Sequence, residues 1–223
     1  LGLGLGAAVL TAILLVTLPA LAVAQLGVEL PDALDPVAVY ASSAVMVLVL
    51  GGLSLAAGIG SPGLSAMGFD GLSGAALLGW TGVSVAAGLA TLVAGRIASR
   101  RFGVRETALV RTILPTNPRE RRGFVAASIA AGLGEEVAYR GFLLAVLAGA
   151  TGSPLVAAAL GSLAFGLLHA YQGVVGMVRT TAIGGAFAGV VLASGSLWPV
   201  ILGHTIINLM AGLVLGEWLL DTD

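Results

Sequence analysis

Gly134-Glu135-Glu136-Val137-Ala138-Tyr139-Arg140 places two carboxylates and a guanidinium inside an apolar run, 123–150, that has the composition of a membrane span. A charged side chain at the centre of a bilayer costs about 2.5–3.5 kcal/mol on insertion scales. Three such groups in six residues therefore mark a functional or a packing device. On a helix Glu136 and Arg140 lie four residues apart on one face, acid first, and can neutralise each other. Glu135 is turned about 100° away and has no built-in partner on its own helix. Low dielectric disfavours the charged form of an unpaired carboxylate, which suits it to proton transfer. The spacing thus predicts a structural Glu136 and a reactive Glu135. The bland alternative is a buried ion network that only locks helix packing.

The rest of the chain supports membrane residence. Of 223 residues, 58% are hydrophobic and only 9% are charged, against about 25% in soluble domains. The mean hydropathy is +1.06. This predicts one all-α, polytopic membrane domain over 1–223. The net charge of −1 points to no partner class, and no basic patch interleaved with aromatics points to nucleic acid. With no cysteine, disulfides, thiolate catalysis and cysteine metal sites are excluded.

The chain has two histidines, both in or at the end of apolar runs. His169 closes Phe165-Gly166-Leu167-Leu168-His169, and Phe165, one turn earlier, is placed to pack over it. His204 opens His204-Thr205-Ile206-Ile207-Asn208, with Asn208 one turn on, on the same face. A lone buried histidine is ordinarily a satisfied core group. Two sole histidines, an asparagine in register and a dicarboxylate, on separate helices, predict one polar cluster among three spans.

In this order Glu-Glu-x-x-x-Arg, Phe-x-x-x-His and His-x-x-x-Asn resemble the CAAX prenyl protease and bacteriocin-processing family of intramembrane proteases. The resemblance covers roughly 119–216 and rests on Glu135, Glu136, Arg140, Phe165, His169, His204 and Asn208. It implies peptide-bond hydrolysis within the membrane. Glu135 would take a proton from a water that His169 helps to hold. His204 and Asn208 would donate hydrogen bonds to the oxyanion. Glu136 and Arg140 would hold the helix and set the charge on Glu135. The residues alone do not divide acid, base and oxyanion donor between the histidines. No cofactor is expected. A zinc mechanism is the competing reading, since one carboxylate and two imidazoles match the ligand count of a catalytic zinc; the absence of a His-Glu-x-x-His helix favours the metal-free one.

Outward from the motif, spans are expected at 5–24, 37–59, 73–94, 123–150, 155–171, 174–193 and 197–215, seven in all, with eight as the other count. Residues 1–95 hold three spans without motifs, 96–122 an Arg-rich loop, and 123–216 the catalytic core. Ala22-Val23-Ala24 has the pattern of a signal-peptidase site, but the many later spans favour a retained helix at 5–24. The loop 25–36 carries Glu29, Asp32 and Asp35. Eight of the ten basic residues fall in 96–122, at Arg96, Arg100, Arg101, Arg105, Arg111, Arg119, Arg121 and Arg122. The positive-inside rule sets that loop on the cytoplasmic side, with a short interfacial helix at 105–114. A span of 123–150 exceeds the roughly 20 residues a crossing needs, so it is expected to tilt or to break near Gly141. Close packing is expected at Gly185 and Gly189 and along Gly79, Gly82 and Ala86. Met67 to Asp70 are expected at the interface, and Trp198 and Trp218 bracket the last span. Counting residues puts His169 nearer the cytoplasmic surface than Glu135 or His204.

The chain thus reads as an integral, multi-pass intramembrane endopeptidase of the cell membrane, acting on a peptide or membrane-protein substrate, in an oligomeric state the sequence leaves open. The rival readings are a proton-coupled carrier, for which no internal repeat is seen, and a non-catalytic immunity or scaffold member of the same family.

Overall fold

The computed structural model describes residues 4–26, 34–103 and 107–220. Among these the chain is helical and contains no strand. Helix α1 runs Leu5–Ala24, with a π turn at Ile13–Thr17. Then come α2, Pro36–Gly60, α3, Gly74–Phe102, and the short α4, Ala108–Thr112. Helix α5, 118–151, is continuous through three segments, Pro118–Glu136, a π-helical Val137–Leu143 and Leu144–Thr151. After it come α6, Pro154–Leu168, α7, Gly173–Ser194, α8, Trp198–Leu213, and the short α9, Gly216–Leu220. Residues Glu29, Asp32 and Arg105, invoked above, lie outside the described residues.

The boundaries follow local chemistry. Asp35, Ser73, Asn117 and Ser153 cap α2, α3, α5 and α6 by accepting hydrogen bonds from first-turn N–H groups. Proline follows the cap in α2, α5 and α6, where its missing N–H is no loss. Gly103, Gly152 and Gly195 end α3, α5 and α7 at φ of 65°, 69° and 69°, a left-handed stop that glycine adopts without strain.

Among the described residues four helices are long and apolar enough to cross a membrane: Leu5–Ala24, Pro36–Gly60, Gly74–Phe102 and Ala170–Ser194. Helices α6 and α8 are equally apolar but only 15 and 16 residues long. Helix α5 has the length and carries the charges. The bundle is apolar on its outside, with Val45, Val49, Leu53, Leu78, Leu155, Leu163, Val174 and Val178 exposed. Such a surface is soluble in lipid and not in water. The chain is an integral multi-pass membrane protein.

Helix α5 sits between α2, α6 and α8; α8 also packs on α3, and α7 closes the ring against α3 and α6. Helix α1 lies against α6 and the π turn of α5. The expected break near Gly141 does not occur. The helix widens there, because a π turn absorbs one extra residue without severing the backbone ladder. The fourth span starts five residues earlier than expected, at Pro118, and the fifth stops at Leu168, before a single 3-10 turn at Ala170–Gln172. Met67 to Asp70, expected at the interface, lie in the loop between α2 and α3. Met67 is fully buried, Leu197 N–H donates to Gly68 O at 2.6 Å, and Ser196 Oγ donates to Asp70 O at 2.8 Å. That loop seals the end of the bundle remote from the arginines.

The close helix approaches differ from those expected. Cβ atoms at Gly79, Gly82 and Gly189 would meet nothing, and one at Gly185 would only graze Ser162. The tight crossing is between α2 and α5. A Cβ on Gly51 would lie 2.7 Å from Gly134 Cα, and one on Gly134 would collide with the backbone of Val47. Small residues there let two backbones touch beside Glu135. Gly134→Ala should therefore force α2 away and lower stability by about 1–3 kcal/mol, as overpacking does. Gly82→Ala should be neutral. Thermal unfolding of both variants in the same detergent checks the contrast.

Candidate active site

Helix α5 projects the two glutamates to different surroundings. Glu136 has no exposed side-chain surface, and its Oε1 accepts from Arg140 Nη1 at 3.1 Å on the same helix. The same oxygen faces His204 Nδ1 of α8 at 2.7 Å. A carboxylate already paired with a guanidinium has no proton to give, so Nδ1 carries the proton and His204 is the donor. The opposite ring nitrogen, Nε2, then points to Glu135 Oε2, 3.8 Å away. Glu135 is 13% exposed and faces a cavity of about 290 Å³. Four polar groups form one line: Arg140, Glu136, His204, Glu135.

His169 is the first residue beyond α6. Its Nδ1 lies 2.8 Å from Phe165 O, and its ring packs on Phe165 with centroids 4.6 Å apart. The cavity is lined by Glu135, Phe165, His169, His204 and Asn208, from α5, α6 and α8, and continues to Tyr171 and Gln172. Helix α6 ends short of the expected 171, and the cavity nevertheless reaches His169.

Phe165 does more than cover His169. Arg140 Cζ lies 4.0 Å above its ring, and His204 meets it edge-on at 6.3 Å. Three neighbours carried no motif. Phe187 of α7 is fully buried between Arg140 and His204, 6.0 Å from each. Gly184, one turn before it, faces Arg140 Nη2. Tyr139 packs edge-on against Phe165 at 5.2 Å and donates from its hydroxyl to Leu14 O, in the π turn of α1, at 3.3 Å. Tyr139 had a signal, being next to Arg140 in the motif; Phe187 and Gly184 had none, since their register depends on how α7 is rotated. The first span, which offered no chemical group, takes part through a backbone carbonyl.

Residues 119–210 match the family model described as Type II CAAX prenyl endopeptidase Rce1-like. Over this stretch the chain is similar to that family. The Rce1-like stretch is less than half of the chain and contains α5, α6, α7 and most of α8, with every residue of the three motifs. It agrees with the resemblance carried by Glu135 to Asn208. No curated protein and no solved structure matches the chain.

A catalytic zinc would need Glu135, His169 and His204 to converge as ligands. Among the described residues no three His, Cys, Asp or Glu side chains converge in an arrangement that could hold a metal ion. His204 Nδ1 is taken by Glu136 and His169 Nδ1 by a backbone carbonyl, and the remaining nitrogens do not close on Glu135 as a ligand triad. The residues do not fit the ion.

Removing one partner of a buried ion pair costs about 3–5 kcal/mol, because the other charge is left uncompensated. The two partners here are not equivalent. Arg140→Ala leaves Glu136 with His204, whereas Glu136→Ala strips Arg140 of its carboxylate and His204 of its acceptor. Both variants should melt below the parent in detergent, Glu136→Ala the lower. Equal melting temperatures for the two variants would contradict this ranking.

Proposed function

We propose that the protein is a metal-free intramembrane endopeptidase in which Glu135 activates water. The observation that carries this reading is the single cavity that gathers Glu135, His169, His204 and Asn208 from three helices. Glu135 is the one acid of the cluster that is not tied to a cation on its own helix. It takes a proton from water held beside it and His169, and the water oxygen attacks the peptide carbonyl carbon. The carbonyl oxygen becomes an oxyanion, met by N–H groups of Asn208 and of His204 Nε2. A proton on Nε2 as well as Nδ1 makes the ring a cation, and the Glu136 carboxylate at 2.7 Å stabilises it. Collapse of the intermediate breaks the C–N bond, and Glu135 returns its proton to the leaving amine. The apolar bundle around these groups keeps bulk water away, so fixed charges and donors act at low dielectric.

The substrate is a peptide or a membrane-protein segment, and the Arg-rich end of the bundle faces the cytoplasm of a cell membrane. Charge asymmetry supports that orientation: Arg100, Arg101, Arg111, Arg119, Arg121 and Arg122 are exposed at the end where α3 finishes and α5 starts. The cavity extends toward the same end, being lined there by Val110 and Ile113 beside α4 and by Leu219 and Leu220 of α9.

Purified protein incubated with a fluorogenic peptide library should release product with and without chelator. Glu135→Ala and His169→Ala should each abolish cleavage, by a factor of about 10² or more for a lost general base or its partner, while membrane insertion is unchanged. Full activity in either variant ends the mechanism, and loss of activity with chelator, restored by zinc, replaces it with the metal one.

A further inference from the structure

Arg140 and Glu136 are joined in an unusual way. A guanidinium beside a carboxylate ordinarily pairs through two parallel hydrogen bonds. Here only Nη1 reaches the carboxylate, at Oε1. Nη2 and Glu136 Oε2 are both buried without a hydrogen-bond partner. Oε1 is also the oxygen that anchors His204. A bidentate Arg140 would add Nη2 to Oε2 and turn the carboxylate plane, taking Oε1 off the line to His204 Nδ1.

The surroundings of Arg140 account for the single contact. Phe165 of α6 covers the guanidinium at 4.0 Å, and Phe187 of α7 faces it at 6.0 Å. Both rings also touch His204, at 6.3 and 6.0 Å. Nη2 is turned toward α7, where a Cβ on Gly184 would lie 2.9 Å from it and 3.3 Å from Ser162 Cβ. The missing side chain at 184 is the space that Nη2 occupies. Aromatic faces attract a desolvated guanidinium strongly enough to compete with a second hydrogen bond to the same acid.

We propose that Phe187 and Gly184 are positioning residues: with Phe165 they form a seat that holds Arg140 in one-armed contact with Glu136, so that Oε1 is shared between Arg140 Nη1 and His204 Nδ1. The inference rests on the hydrolytic reading above, in which His204 Nε2 faces Glu135 and the reacting carbonyl. Neither residue touches the substrate; each acts through Arg140 and Glu136. When the seat is lost, the Arg140–Glu136 pair closes into a bidentate one and His204 loses its anchor.

The test uses the whole chain in detergent. Phe187→Leu removes the aromatic face with little change in bulk, and Phe187→Tyr keeps it. Phe187→Leu should lower kcat about tenfold, the scale of a lost orienting partner, at unchanged KM and nearly unchanged Tm; Phe187→Tyr should keep most of the activity. With only two histidines in the chain, ring-¹⁵N labelling resolves His204, and its hydrogen-bonded Nδ1 proton should shift in Phe187→Leu and not in Phe187→Tyr. Gly184→Ala should reproduce the shift. Parental kcat with an unmoved His204 proton in Phe187→Leu overturns the proposal. So does equal loss in both Phe187 variants with a matching fall in Tm, which is the signature of core packing. Glu135→Ala is run alongside: if it stays active the hydrolytic reading fails, and the His204 resonance still decides whether the seat exists.

Discussion

One oxygen atom organises the site. Glu136 Oε1 accepts from Arg140 within its own helix and from His204 across the α5–α8 interface. A carboxylate with no exposed surface is tolerated only when its charge is compensated, so α5 and α8 must meet at this level and in this rotation. Every other feature of the site follows from that meeting. The glycine crossing of α2 brings its backbone against α5 just before the glutamates, the π turn widens α5 just after them, and α6 ends where His169 can reach the same cavity.

The two glutamates show how a one-residue step on a helix assigns roles. Glu136 turns into the protein and is consumed by pairing. Glu135, the next residue, turns toward the cavity and meets only the far nitrogen of His204 at 3.8 Å. His204 lies between them with a nitrogen directed to each. A ring so placed couples a fully buried carboxylate to one that lines the cavity, which is why the proposed mechanism assigns it to the oxyanion and not to holding water.

Much of this was legible in the sequence, for reasons that differ from part to part. The all-helical membrane class follows from hydropathy, and the Glu136–Arg140 pair from the helical repeat, because both are local properties. Helix starts at Asp35, Asn117 and Ser153 are written in cap-and-proline pairs. The long-range half was not legible. Glycine spacing pointed to Gly185 and Gly189, yet the close contact on α7 is at Gly184; a stripe of small residues says that a helix can approach another and not which face does. Phe187 and the Leu14 carbonyl look like ordinary span residues until the helices that carry them are set against Arg140 and Tyr139. The short α6 was missed because an apolar run continues past the point where the helix stops.

The widened turn at Val137–Leu143 has an evolutionary reading. A π turn is an α-helix that has taken in one additional residue. Excising a residue there would mend the ladder into ordinary α-helix and leave the span intact. The turns on either side would keep the faces they present, because the wide turn takes up its additional residue locally. The additional residue is thus housed where it stands: it adds one side chain to the wall beside Glu136 and Arg140 while the turns before and after it keep their neighbours.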